Sequence, residues 1–184
     1  LFLSLAEISE KITSGSRDWA GYYSEAGDLF VRISNLTREH INFRWNSIKY
    51  VNIGDGSEGE RTKLATGDIL ISITADLGII GVVNDDIGIA YINQHTALVR
   101  PINSVNPRFV GNYMQSSLGK KQFETNNDSG AKAGLNLPTI SSLKCALPSI
   151  DEQNCAAEKI DAIDESISSL KREKLKYEIQ KKGL

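Results

Sequence analysis

The side chains of this chain that could do chemistry suit gripping a partner better than breaking a bond. A nucleophilic triad needs a serine or cysteine with a histidine and a carboxylate. Of the two histidines, His40 and His95, only His95, in Asn93-Gln94-His95-Thr96, is a serious base, and no GxSxG elbow surrounds any serine. The run Leu77-Gly78-Ile79-Ile80-Gly81 is apolar and matches neither GxxxxGK[ST] nor GxGxxG, the loops that cradle phosphates. Asp85-Asp86 resembles an acid–base or metal pair, yet adjacent strand residues point to opposite faces, and a hairpin turn explains them better. Cys145 and Cys155 form no CxxC pair and, with so few histidines, make too poor a ligand set for zinc. They read as buried or half-buried thiols in a reducing compartment. A standalone hydrolase working through His95 remains the minority reading; it requires turnover that His95→Ala abolishes.

Binding has the better residues. Arg17, Trp19, Tyr22, Tyr23 and Arg32 combine guanidinium groups, which grip phosphate or guanine edges bidentately, with flat rings and hydroxyls that suit groove contacts. Core packing explains Trp19 equally well, because large rings are usually well buried. Lys132 sits in a Ser/Gly/Ala loop near Asn127 and Asn136, an amide-rich segment suited either to base edges and phosphates or to solvent. Thr74, Asp76, Asn93, Gln94 and His95 fall at strand ends or turns, where polar groups can line one rim of a sheet.

The elements that must position these residues are mostly strands. Leu3, Leu5, Ile8 and Ile12 mark an amphipathic opening segment that closes at Thr13-Ser14-Gly15-Ser16, and an irregular aromatic loop then runs to Gly27. Leu29–Ile33 and the Trp45–Ile53 stretch are strand-like. β-Character is strongest from Gly67 to Pro101, where Ile69–Thr74, Leu77–Val83, Ile87–Ile92 and Thr96–Val99 are expected to form a meander. Asn106 to Phe123 reads as a helix, with Phe109, Val110, Tyr113, Met114 and Leu118 recurring at three and four. A polar loop follows, then a short helix or turn at Thr139–Leu143 and a last strand at Lys144–Leu147. The fold class is α+β: a mainly antiparallel, barrel-like β domain with short helices, followed by one long C-terminal coiled-coil helix.

That helix is the clearest element of all. Ala156, Ile160, Ile163, Ile167, Leu170, Lys174 and Tyr177 alternate spacings of four and three, the rhythm of a coiled-coil seam that only Lys174 interrupts. Pro148 stops the preceding strand, Ser149 or Asp151 caps the helix, and Glu152 complements its dipole. The expected division is a domain over 1–150 and a helix over 151–184. An exposed stripe of Ile160, Ile163, Ile167, Leu170 and Tyr177 needs a partner, so a homodimer through residues 151–182 is predicted.

With 184 residues the chain can bury a sizeable core. Its 21 Lys+Arg against 23 Asp+Glu exclude a polyanion binder recognisable by net charge alone, so any nucleic-acid surface must come from local clustering. No apolar run is long enough to span a membrane, and Leu1-Phe2-Leu3 meets Ser4 and Glu7 too soon for a signal peptide; a cytoplasmic location is expected. Because the first residue is Leu, the chain is expected to be a piece of something longer or to have lost its start.

Leu5-Ala6-Glu7-Ile8 before a Ser14-Gly15 turn, the strand Thr66-Gly67-Asp68-Ile69-Leu70-Ile71, the Gly130-to-Leu137 loop, and Ala146-Leu147-Pro148 leading through Glu152-Gln153 into a long helix occur in that order. Over nearly the whole chain this order resembles one half of the DNA-sequence specificity subunit of a type I restriction–modification system. The resemblance implies a non-catalytic target recognition domain that reads half of a bipartite site in double-stranded DNA, plus one spacer helix. It implies modification subunits that methylate adenine with S-adenosylmethionine, a restriction subunit that translocates and cleaves, and a second recognition domain supplied in tandem or by a homodimer. No cofactor is expected on this chain; S-adenosylmethionine, ATP and Mg belong to the partner subunits. On this reading the DNA-contacting candidates are Arg17, Tyr22, Tyr23, Arg32, Thr74, Asp76, Gln94, His95, Lys132 and Asn136, with Gly15, Gly130 and Gly134 shaping the loops. A coiled-coil adaptor whose β domain binds protein fits the helix periodicity as well. Salt separates the two, because binding through phosphates weakens steeply as salt rises.

Overall fold

Strands whose residues are apolar at every position must be covered on both faces, and the centre of this chain is built on that requirement. The computed structural model describes residues 1–53, 59–84, 87–126 and 134–183. Strands β1 (Phe2–Ser4), β2 (Ser9–Ser14), β3 (Tyr23–Ser24), β4 (Asp28–Val31), β5 (Tyr50–Val51), β6 (Ile69–Ser72), β7 (Ile80–Val82), β8 (Ala90–Ile92) and β9 (Thr96–Pro101) precede three helices. These are α1 (Pro107–Gln115), α2 (Ser117–Thr125) and α3 (Leu137–Ser142); β10 (Lys144–Ala146) and α4 (Ile150–Lys181) complete the chain. One sheet has the order β2-β9-β6-β7, all antiparallel; a second has β3-β5-β4-β8; β1 and β10 form a separate ribbon.

The first sheet is the centre. Ile69, Ile71, Ile80, Val82, Ala97 and Val99 pack with Val110, Met114, Phe123 and Ile140 of the helices. On the other face Leu70 and Leu98 pack with Val31, Ala90 and Ile92 of the second sheet. The alternation of period two therefore feeds two cores, which is why both sets are apolar. Asp68, fully buried in the Thr66-Gly67-Asp68 turn before β6, takes a bidentate bond from Arg100 of β9 (2.7 and 2.8 Å) and a backbone bond from Ala65 N–H (2.7 Å). Asp68 thus ties two neighbouring strands together, and Gly67 supplies the positive φ of 84° that this turn needs.

Three expectations change. The meander is broken: β8 leaves the first sheet and pairs in parallel with β4, while β9 returns between β2 and β6. The turn at Asn93–His95 makes this switch possible, and Gly15 lets β2 pass against it; a Cβ on Gly15 would lie 2.0 Å from the Asn93 carbonyl oxygen. The helix expected over 106–123 is two helices, because Ser116 turns extended (φ −64°, ψ 170°), closes α1 through its N–H and caps α2 with its hydroxyl. Leu118, read as part of the apolar face, is 61% exposed as a result. Of the Trp45–Ile53 stretch only Tyr50–Val51 is strand; Trp45 and Ile48 lie outside it and are exposed. The turns expected at Gly54–Glu60 and Asp85-Asp86 lie largely or wholly outside the described residues.

Ser149 is the N-cap of helix α4: its hydroxyl caps Glu152 N–H while the Glu152 carboxylate reaches back to Ser149. Those hydrogen bonds, side chain first, hold the Glu152 carboxyl below the usual carboxylate range. Only the base of α4 is embedded. Gln153 and Ala157 are buried, and Gln153 accepts from Asn106 N–H (3.0 Å) and donates to the Pro148 carbonyl (3.0 Å). Arg108 of α1 pairs with Asp161 and donates to Asn42 and Asn84, and Lys171 pairs with Glu39. Ile163, Ile167, Leu170 and Tyr177 remain 45–65% exposed, and Ile160 is half-buried. At ~100° per residue the seam lies roughly a quarter-turn from the face that touches the domain. Cys145 is buried in β10, where desolvation pushes its thiol up to about 12; Cys155 is exposed on α4, not half-buried.

Candidate nucleic-acid interface

At the end of the first sheet where β2 stops and β9 starts, several segments converge on a polar cleft of about 840 Å³. Its walls are the loop after β2 (Ser14 to Asp18), Arg61, the end of the β6 segment (Ile73, Thr74), the turn bearing Gln94 and His95, and Leu135 to Leu137. Backbone bonds fix the rim: Gly15 N–H donates to the Thr96 carbonyl (3.1 Å), Ile73 N–H to the His95 carbonyl (3.0 Å) and Leu135 N–H to the Ile73 carbonyl (3.0 Å). His95 is held at both ring nitrogens, Nδ1 by the Thr74 hydroxyl at 2.9 Å and Nε2 by the Gln94 amide nitrogen at 3.2 Å. Arg61 donates to the Thr13 (2.7 Å) and Ser16 (3.0 Å) hydroxyls and the Ser14 carbonyl, so its guanidinium is fixed beside the opening. Asp18 (φ 62°) and Ala75 (φ 58°), the non-glycine residues with positive φ among the described residues, flank this same rim.

A second cleft of about 840 Å³ lies at the sheet's other end, beneath α4. Asp161, Asp164 and Glu165 line it from the helix, and Asn42, Gly67, Asn84 and Arg108 from the domain. Burial, with a smaller contribution from Asp161, raises the Asp164 carboxyl above its ordinary range, while His40 and Arg108 oppose the rise. These acids form no metal-binding group among the described residues.

A family model described as type I restriction modification DNA specificity domain matches residues 7–181. The chain belongs to that family. Solved structures of similar fold agree. One, from work on complex assembly and conformational transition of the type I R-M system, has a TM-score of 0.68 at 19% identity, covering 98% of this chain and 42% of the other. The HsdS subunit from Thermoanaerobacter tengcongensis has a TM-score of 0.66 at 20% identity, covering 94% and 39%. The type I restriction-modification S subunit from M. genitalium has a TM-score of 0.64 at 9% identity, covering 92% and 40%. This specificity-domain chain therefore spans about two fifths of the length of each. A search of curated protein sequences finds no match.

Within the specificity-domain fold, the cleft beside β2 and β9 gathers Arg17, Thr74, Gln94, His95 and Asn136 from four stretches of sequence. Asn136 also caps α3, its side-chain oxygen accepting from Thr139 N–H at 2.8 Å, which leaves its amide nitrogen for another partner. The other candidates lie elsewhere. Tyr22 packs edge-on to Trp19 and Tyr23 edge-on to Phe30, around a small aromatic cluster of Trp19, Phe30, Val51, Ile53 and Tyr91. Trp19 itself is core, 5% exposed, with its indole N–H on the Ser16 carbonyl. Arg32 is bound to the Ser47 carbonyl (3.0 Å) and hydroxyl (3.1 Å), pinning a loop of the second sheet. Asp76 is paired with Arg38 at the β6–β7 tip. Lys132 and Gly130 lie outside the described residues, whereas Gly134 bridges Thr74 at the cleft. Arg61 was missed, because an isolated arginine after a Gly-rich turn carries no periodic or motif signal.

Proposed function

We propose that this chain reads one half of a bipartite site in double-stranded DNA as part of a type I specificity subunit, with residues 1–150 as the recognition unit and 151–184 as spacer. The observation that carries this reading is the polar cleft of Arg17, Arg61, Gln94, His95 and Asn136, in a chain of the DNA specificity family, at the end of the sheet remote from the α4 base. Arginines and amides at such a rim supply phosphate grip and base-edge contacts. Catalysis belongs to partners: modification subunits that methylate adenine with S-adenosylmethionine, and a restriction subunit that uses ATP and Mg. The near-neutral charge of the domain suits weak DNA affinity alone, with the modification subunits adding backbone contacts.

Helix α4 pairs with a second copy of this chain or with the other half of a tandem subunit, so that two recognition units are held a fixed distance apart. Its exposed Ile163, Ile167 and Leu170 support this. The charge along the helix supports an antiparallel pair: Asp151, Glu152, Glu158, Asp161, Asp164 and Glu165 face only Lys159 in the first half, while Lys171, Arg172, Lys174, Lys176, Lys181 and Lys182 outnumber Glu173 and Glu178 in the second. Two measurements test the reading. Light scattering over a dilution series is expected to give a dimer mass that Ile163→Asp with Ile167→Asp reduces to a monomer; an unchanged mass removes the helix as the seam. Anisotropy with duplex DNA is expected to weaken steeply with salt, and a salt-independent affinity points instead to a protein-binding adaptor.

A further inference from the structure

We propose that Gln94 is the adenine-reading residue of the cleft, held in a single orientation by His95 and Thr74; this rests on the DNA reading above. The support begins with the ring. His95 has both ring nitrogens engaged, its backbone N–H directed to the Asn93 side-chain oxygen (3.2 Å) and its carbonyl accepting from Ile73, so neither ring nor backbone is free to turn. A neutral imidazole carries one N–H and one acceptor nitrogen. With the Gln94 amide nitrogen donating to Nε2, the ring proton lies on Nδ1 and is donated to the Thr74 hydroxyl oxygen.

This leaves a defined remainder on Gln94. A glutamine amide has two N–H donors and one carbonyl acceptor. One N–H is spent on His95, and the other N–H and the carbonyl have no partner among the described residues, although Gln94 lines the cleft. When His95 takes the N–H that points away from the carbonyl, the remaining N–H and the carbonyl oxygen lie side by side in one plane, the complement of adenine in the major groove, which offers N7 as acceptor and the N6 amino group as donor. Guanine offers two acceptors there, cytosine a donor and thymine an acceptor with a methyl group, so none satisfies both groups. Because the amide is already oriented in the free chain, little ordering is left to be done on binding. His95 and Thr74 are then positioning residues, and the Gly15 close approach keeps the Asn93–His95 turn in place.

The test is enrichment of binding sites from a random duplex pool by the full chain at low salt and, in parallel, together with modification subunits. The wild type is expected to recover a motif with an invariant adenine at one position. Gln94→Glu presents acceptors only, and should shift that position alone toward cytosine, whose amino group pairs with a carboxylate, by tenfold or more in relative preference. Gln94→Met, uncharged and without the amide, should lose discrimination at the same position, and His95→Ala should blur it without moving the others. A Gln94→Met motif identical to wild type at every position overturns the inference while leaving the DNA reading intact. A uniform loss of affinity with an unchanged motif overturns it too, since that is the signature of a backbone contact. If the wild type enriches no motif even with modification subunits, the DNA reading fails and this inference with it.

Discussion

The two clefts have equal volume and opposite chemistry. Beside β2 and β9, Arg17 and Arg61 outnumber Asp18; beneath α4, Asp161, Asp164 and Glu165 outnumber Arg108. Their sum is concealed in a formal charge of −2, so net charge says little about where a polyanion could dock. The cleft by β2 has its polar groups fixed by the fold yet leaves donors open, which is the condition of a reading site. In the cleft beneath α4, Arg108 is consumed by Asp161, Asn42 and Asn84, which is the condition of an anchor.

Breaking what joins the two ends should have the largest effect. Asp68 lies between them, in the turn that contributes Gly67 to the acidic cleft, and fixes β6 to β9, whose other ends frame the polar one. Asp68→Ala strands Arg100, itself only partly exposed, and leaves Ala65 N–H without its acceptor. The expected cost is about 3 kcal/mol, read as a fall in melting temperature of about 6–12 °C, with both clefts degraded together. Arg108→Ala should separate them. Removing a charge-assisted pair with partly exposed partners costs about 1.5 kcal/mol, or about 3–6 °C, and loosens the base of α4. Half-site preference should stay unchanged, and a changed motif would end the division of labour drawn here.

A smaller effect is expected at Arg61, which sharpens the polar side. Its guanidinium is fixed by Thr13, Ser14 and Ser16 but touches no carboxylate in that network. On the proposed reading Arg61→Ala weakens DNA binding by about 1 kcal/mol on every sequence and reduces the salt slope by about one. Sequence reasoning could not have found this residue, because what recommends it is a set of contacts 45 or more positions away in the chain. The same limit explains the other misses. Apolar runs announced β6, β7 and β9, and the heptads announced α4, since each records a local period. The parallel pairing of β4 with β8 depends on a register between distant segments, and Ser116 breaks a helix by a capping choice that periodicity does not record. Trp19 and Arg32 have residue types equally suited to contact and to structure; burial and Ser47 decided between them. Arg17, Thr74, Gln94, His95 and Asn136 were legible as polar residues at strand ends, but their convergence was not.

The smallest expected effect lies in the acidic cleft. Burial raises the Asp164 carboxyl above its ordinary value of 3.8, so the folded chain holds that proton more tightly than the unfolded one. The contribution to stability is therefore fully present below the unfolded value and is lost as pH rises through the folded one; at neutral pH the ionised group is a net cost. Much of Asp164 is solvated, so screening keeps that cost small, and Asp164→Asn should raise the melting temperature of the dilute chain at pH 7 by on the order of 1 °C, with no gain below pH 3.8. The sign is informative beyond its size. Where α4 pairs antiparallel, the basic half of a second helix lies against this acidic half and offsets the cost of ionising Asp164. The gain from Asp164→Asn should then vanish at concentrations where the pair forms. A gain that persists undiminished in the dimer would mean that no cation of a second helix reaches the acidic cleft, and would count against the antiparallel register.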